Sequence, residues 1–343
     1  MRVVLRVLFL WVISSGILLA AQILQPIVPL QLDGEAHPTQ LPPLATLGSP
    51  QCDSAGDVYI RYTAAQTSGS ATSSVARIEA DGSTQTITLA PLPNASGESH
   101  ALTFAADSSG AVHQILRASV DSDEHDTSSR VEYVRFDSDG DVRSYAPFPG
   151  EFIPSVFLPL PSGDFFATGV TLEQSDDGVS ENSLAGIFGP DAKLQSRLRT
   201  DTSKSGSAGK EDDDPFVRAE MVRLGDDGNI YMLMASDRAT VEVVNQAGRI
   251  IHKLQLQEPF ETEVASDMWM SGNRLLVVYE GEADDPKDSY VYVLYDAQSG
   301  EIIRAYKPEF LGTIACFQDG QTITVLARQP ESGTTSIGTA ELQ

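Results

Sequence analysis

A glycine-centred turn followed at once by a short apolar run recurs six times along this chain, and that recurrence constrains the fold more than any other feature. The phrase is clearest as "GDDGNIYML" at Gly228. It returns in degraded form as "CDSAGDVYI" at Gly56, "ADSSGAVHQI" at Gly110, "LPSGDFFAT" at Gly163, "MSGNRLLVV" at Gly272 and "FQDGQTITV" at Gly320. The intervals of 54, 53, 65, 44 and 48 residues average about 53, the length of a propeller blade rather than of a helical solenoid repeat.

Each first turn is followed by a second one: "EADGS" at Gly82, "DSDGD" at Gly140, "GPDAK" around Asp191, "NQAGR" at Gly248 and "AQSGE" at Gly300. Glycine accepts a positive φ without steric cost, so such pairs close tight hairpins, and two hairpins per repeat make four strands. "NIYMLMA", "RLLVVYE" and "TITVLA" are almost continuously apolar, as strands covered on both faces are. "TVEVVNQ" and "VEYVRFD" alternate, as strands nearer a wet edge do. The chain therefore predicts an all-β fold, a six-bladed β-propeller with four-stranded blades starting near residues 44, 99, 152, 215, 262 and 311. Blade six ends one strand short, so "QPIVPLQLD" at 25–33 is expected to pair with Ile337 to Leu342 and close the ring, its prolines suiting an edge.

The phrase D-x-x-G-x-x-Y, present as "DSAGDVY" at 53–59 and nearly repeated as "GDDGNIY" at 225–231, resembles the turn-strand unit of six-bladed propellers of the NHL-repeat type. The resemblance spans residues 25–343 and implies a fold whose members are mostly ligand or protein binders, with a minority of enzymes. "DAQSGEI" at 296–302 is similar to the turn of quinone-cofactor propeller repeats, but the Trp of that repeat is missing.

The chain has 343 residues, with 48 acidic against 23 basic ones, for a formal net charge of −25. A field of that sign repels nucleic acid and anionic lipid and attracts cations and basic partners. "MRVVLRVLFLWVISSGILLAAQ" sets Arg2 and Arg6 ahead of an apolar stretch ending in small residues, the layout of a secretory signal over residues 1–22. The cleavage site is poor, so an uncleaved anchor through residues 3–21 stands beside it as an alternative. In both cases residues 23–343 are expected to face a periplasmic or extracellular space, as a monomer.

In a four-stranded antiparallel blade the first and third loops share one face of the disc, while the second loops and interblade links share the other. That second face collects Asp121, Asp123, Glu124, Asp126, Asp176, Asp177, Glu211, Asp212, Asp213, Asp214, Glu280, Glu282, Asp284 and Asp285. One reading is solvated loops that keep an exported protein soluble. The other is a rim that binds a protein or small-molecule ligand with the support of Ca2+, for which Asp121, Asp123, Asp176, Asp177, Asp212, Asp213, Asp284 and Asp285 are the candidate ligands. No loop completes a calcium fingerprint: "DSDEHD" has Asp126 where the turn needs Gly, and "DSDGDV" has Phe148 where a closing Glu belongs.

The main functional expectation is thus an acidic binding or scaffold module. The alternative is a hydrolase or lyase like the lactone-hydrolysing propellers, with its site at the channel mouth. The inlets of the inner strands carry Glu98, His100, Ser155, Arg218, Glu220, Glu263 and Asp267, of which His100, Glu220 and Asp267 are the candidate catalytic set. No nucleophile elbow or zinc-binding helix accompanies them. His113 reads as a core residue and Trp269 as inter-blade packing. Cys52 and Cys316 each lie four residues before their first-turn glycine. They therefore occupy one repeat position in blades that a closed ring makes neighbours, where either a disulfide or two buried thiols fits.

Overall fold

The turns and apolar runs assemble into a ring of six sheets, a six-bladed β-propeller. The structure is a computed structural model that describes residues 26–343 apart from 43–44, 66–70, 93–98, 123–125, 176–177, 199–218, 235–238, 260–263, 284–288 and 330. For 64–65, 71–73, 119–122, 126–129, 173–175, 178–179 and 220 it describes the backbone alone. There is no α-helix among the described residues.

Two short strands, β1 (Val28–Leu30) and β2 (His37–Pro38), precede the ring. Blade one holds β3 (Thr46–Leu47), β4 (Gln51–Cys52), β5 (Val58–Ala65), β6 (Ala71–Ile78) and β7 (Thr84–Ile87). Blade two holds β8 (Ser99–Ala106), β9 (Val112–Ser122), β10 (Asp126–Phe136) and β11 (Val142–Pro147). Blade three holds β12 (Glu151–Pro159), β13 (Phe165–Ser175), β14 (Gly178–Phe188) and β15 (Leu194–Arg197). Blade four holds β16 (Ala219–Leu224), β17 (Ile230–Met234), β18 (Thr240–Val244) and β19 (Ile250–Gln255). Blade five holds β20 (Val264–Ser271), β21 (Arg274–Glu280), β22 (Tyr290–Asp296) and β23 (Ile302–Pro308), and blade six holds β24 (Gly312–Gln318), β25 (Thr322–Arg328) and β26 (Thr335–Glu341). Consecutive strands pair antiparallel from the axis outward. In blade one, β3 and β4 both pair with β5 and share the inner position across the break at Gly48 and Pro50.

Every first-turn glycine named from the sequence has a positive φ, and so do Gly82, Gly140, Gly248 and Gly300 of the second turns. The second turn of blade three has no glycine at its left-handed position, and Ala192 takes that conformation there at φ 57°. The turn-opening aspartates hold these loops from inside. Asp107 Oδ1 accepts from the N–H groups of Ser109 and Ala111, and Asp137 does the same for Asp139 and Asp141. These are side-chain mimics of a backbone turn.

Because side chains alternate across a strand, each blade sends one set of apolar groups to each neighbour. Leu275, Val277 and Tyr279 join the cluster between blades four and five, while Leu276 and Val278 join the cluster between blades five and six. That is why "RLLVVYE" is apolar at consecutive positions. Six such clusters fill six seams. The seam between blades two and three is aromatic: Phe148 and Phe188 touch each other and each touches Phe152 and Phe165, with Tyr133 stacked on Phe165 at 4.4 Å.

An N-terminal strand closes the ring in the last blade, but from a different segment than expected. The closing strand is β2, where His37 and Pro38 pair with Ile337 and Ser336, flanked by bonds from Asp33 N to Thr339 O and Thr39 N to Thr335 O. The earlier piece, β1, adds in parallel to β23 as a fifth strand of blade five. Val28, Leu30 and Leu32 alternate along this segment, and all three pack into the seam between blades five and six. The closing strand also leans on blade one. A Cβ on Gly82 would meet Pro38 O at 2.6 Å, whereas one on Gly34 would meet nothing within 4 Å. Both glycines have positive φ, so Gly34→Ala is expected to cost about 1 kcal/mol of conformational strain and Gly82→Ala roughly 2 kcal/mol or more, read as urea midpoints of the two variants.

Candidate binding site in the channel

Around the axis the inner strands do not pair with one another, so their side chains line a channel. Each inner strand of blades two to six carries a register shift, leaving Leu102, Ser155, Glu220, Ser266 and Ala315 opposite no partner. Such bulges bend a strand and re-aim its side chains. On the face that carries the glycine turns, the channel opens into a mouth of about 780 Å3. Its wall combines Pro159, Pro161, Met270 and Phe317 with Asp53, Asp107, His113, Arg135 and Arg223. Toward the opposite face lie a cavity of about 760 Å3 against blades five, six and one, and one of about 320 Å3 against blades one to four.

Arg223 and Trp269 form the waist between these spaces. Trp269 borders both the mouth and the cavity of blades five to one, and Arg223 borders both the mouth and the smaller cavity. The Arg223 guanidinium lies 5.2 Å from the Trp269 ring centroid, within cation–π range. It donates to Asp267 Oδ1 at 3.0 Å and to Val222 O at 3.1 Å. Burial raises the carboxyl pKa of Asp267 above its ordinary value, against the opposing pull of Arg223 and the Met268 N–H.

A second cluster stands at the rim in blade two. His113 is 2% exposed, with Nδ1 at 2.8 Å from the Tyr133 hydroxyl and Nε2 at 3.0 Å from Asp107 Oδ2. Arg135 approaches the same carboxylate at 3.5 Å. Burial works to raise the pKa of Asp107, but the hydrogen bonds from His113 and Ser109 outweigh it and hold the carboxyl well below its ordinary value. Burial also lifts the Tyr133 phenol to about 12. The motif repeats: Tyr59 donates to Asp53 in blade one and Tyr231 to Asp227 in blade four. In blades one and two the Tyr or His six residues after the turn aspartate braces it.

Of the catalytic candidates, Asp267 is in the waist, paired with Arg223. His100 is exposed and borders a separate cavity of about 630 Å3 between blades one and two. Glu220 lies on the bulge of blade four with only its backbone described. Ser155 is exposed beside the 320 Å3 cavity. Glu98, Arg218 and Glu263 lie outside the described residues. So do Asp123, Asp176, Asp177, Asp212, Asp213, Asp284 and Asp285, while Asp121 is placed by its backbone alone, opposite Thr127. Among the described residues no group of three or more His, Cys, Asp or Glu converges on a metal-sized point. Cys52 and Cys316 are free thiols that meet in the seam between blades six and one.

Arg223 and Arg135 went unremarked in the sequence, although a signal for the first was present. Arg223 and Asp267 each lie five residues before the first-turn glycine, so in adjacent blades they share one repeat position, as the cysteines do.

No family model matches the chain, and no curated protein matches it. Its likeness is to solved structures. A protein of unknown function from Dyadobacter fermentans superposes with a TM-score of 0.50 at 10% identity, over 90% of this chain and 98% of that one. The β-propeller domain of Cps50 (Swd1) from Myceliophteria thermophila gives 0.42 at 10%, over 93% and 100%. YCF48 bound to D1 peptide gives 0.42 at 11%, over 95% and 100%.

The Asp107 geometry gives a pH-dependent expectation. A depressed carboxyl pKa contributes stability that is present above the unfolded value, near 3.8, and lost as pH falls below it. Asp107→Asn should therefore be about 2 kcal/mol less stable than the parent at neutral pH, and the gap should narrow by roughly 1 kcal/mol by about pH 3 in urea titrations.

Proposed function

We propose that the chain is an exported binding module that takes a segment of another polypeptide into the turn-face mouth of its channel. The observation that carries this reading is the mouth itself, about 780 Å3 of space walled by apolar and hydrogen-bonding groups together, the usual make-up of a ligand cavity. The charged groups beside it are engaged with one another: Asp107 with His113 and Arg135, and Asp267 with Arg223. Such groups offer fixed recognition surfaces rather than a free base or nucleophile. A hydrolase built on His100, Glu220 and Asp267 has less support, because His100 and Asp267 border separate cavities on blades that face each other across the ring. The net charge of −25 favours a basic partner and an association that weakens with salt.

Trp269 is the one tryptophan in residues 23–343, so it reports on the channel directly. A displayed peptide library panned against that chain should enrich basic peptides bearing an apolar side chain. These should change Trp269 emission and lose about tenfold or more in affinity to Ser162→Trp, at the rim, and to Met270→Asp, provided both variants keep the parent unfolding midpoint. Enriched peptides that leave Trp269 emission and both variants indifferent, or no enrichment at all, would refute the reading.

A further inference from the structure

We infer that Cys52 and Cys316 are the site of an oxidative cross-link that staples the last blade to the first, formed by exchange with an external disulfide. The two are the chain's whole complement of cysteine. Cys52 ends β4, the broken inner strand of blade one, and Cys316 lies in β24, the inner strand of blade six. Their side chains pack in one cluster, and Cys316 Sγ approaches Gly56 O, on the turn that follows Cys52, at 4.0 Å. They differ in access: Cys52 is partly exposed and borders the 780 Å3 mouth, while Cys316 is fully buried behind it. Access therefore makes Cys52 the thiol that reacts first, and the neighbouring Cys52 side chain together with burial pushes the Cys316 thiol up.

The chemistry balances without any group beyond the external disulfide. The Cys52 thiolate attacks one sulfur of that disulfide and expels the other half as a thiolate. Cys316 then gives up its proton, attacks Cys52 Sγ in the mixed disulfide and expels the second half. Two protein thiols are oxidised, one external disulfide is reduced to two thiols, and the two protons end on the expelled thiolates. An exported chain meets oxidants of this class, but the site rests on the seam geometry and not on the proposed ligand. The bridge would enclose the 263 residues between the two cysteines, spanning a seam that apolar packing holds.

The test uses the folded chain of residues 23–343 with oxidised glutathione as the probe, quenched by alkylation and mapped without reductant. The expected product is one linked Cys52–Cys316 peptide in a monomer, no alkylated thiol, and an unfolding midpoint raised by roughly 5 °C or more that reductant reverses. Cys316→Ser should stop at a glutathione adduct on Cys52, and Cys52→Ser should leave Cys316 unmodified while folded. Two alkylated cysteines in the parent chain would overturn the proposal. So would a lasting Cys52–glutathione adduct with Cys316 free, or a link that forms only in urea. Peptide selection is scored on reduced protein, so failure of the ligand reading leaves this result untouched.

Discussion

The structure depends on each blade being buried by its two neighbours and by nothing else. Among the described residues there is no common core to retreat to. The apolar side chains fall into six clusters, one per seam, and an unclosed ring would leave one of them open to water at both inner and outer edges. Hydrophobic burial scales with area removed from water, so the last seam matters as much as any other even though its backbone pairing is short. Here β2 contributes only His37 and Pro38 to β26, and the bonds from Asp33 and Thr39 extend that contact on both sides. The N-terminal segment compensates by touching three blades: β1 on blade five, β2 on blade six, and Pro38 against Gly82 of blade one.

Closing a ring of twisted sheets also determines what the axis looks like. Inner strands splay apart at the centre and cannot pair there, so their exposed backbone and side chains must be satisfied by water or by each other. The bulges in blades two to six, and the Gly48 to Pro50 break in blade one, relieve the strands where they crowd the axis. Arg223 and Asp267 are the polar solution at the waist. A carboxyl whose charge is penalised by burial is kept beside a guanidinium that also stacks on Trp269. A pair of this kind adds little net stability when formed but is expensive to break, which makes it a fixed feature of the channel wall.

The architecture was legible in the sequence because its signals are local. A positive-φ residue at each turn and a period-2 pattern across two buried faces are properties of five to ten consecutive residues, and Gly56 to Gly320 displayed them. Blade three shows the limit of the glycine signal, since Ala192 adopts the same conformation with a methyl group that packs among Tyr133, Phe165 and Phe188. The route of residues 25–39 was only half legible. Strand character in "QPIVPLQLD" was visible, but whether it serves blade five or blade six depends on which strand it meets, β23 or β26, a tertiary question. The aspartate of D-x-x-G-x-x-Y was visible as a turn former, while its bracing by Tyr59 or His113 depends on the neighbouring strand of the same hairpin.

The site was less legible because its residues come from different blades, where linear spacing carries no obvious meaning. It becomes readable once repeats are aligned on their first-turn glycine. Position minus four in blades six and one holds the two cysteines, and position minus five in blades four and five holds Arg223 and Asp267. Equal positions in adjacent blades lie at equal depth in the channel, so complementary chemistry at one position is a contact waiting to be tested. The cysteines declare themselves by rarity, being two in 343 residues. An Arg and an Asp among 71 charged side chains do not, and only the alignment separates them from the solvated charge around them. By the same argument the channel of such a ring is best searched position by position around the axis, because its recognition surface is written across the repeats rather than along the chain.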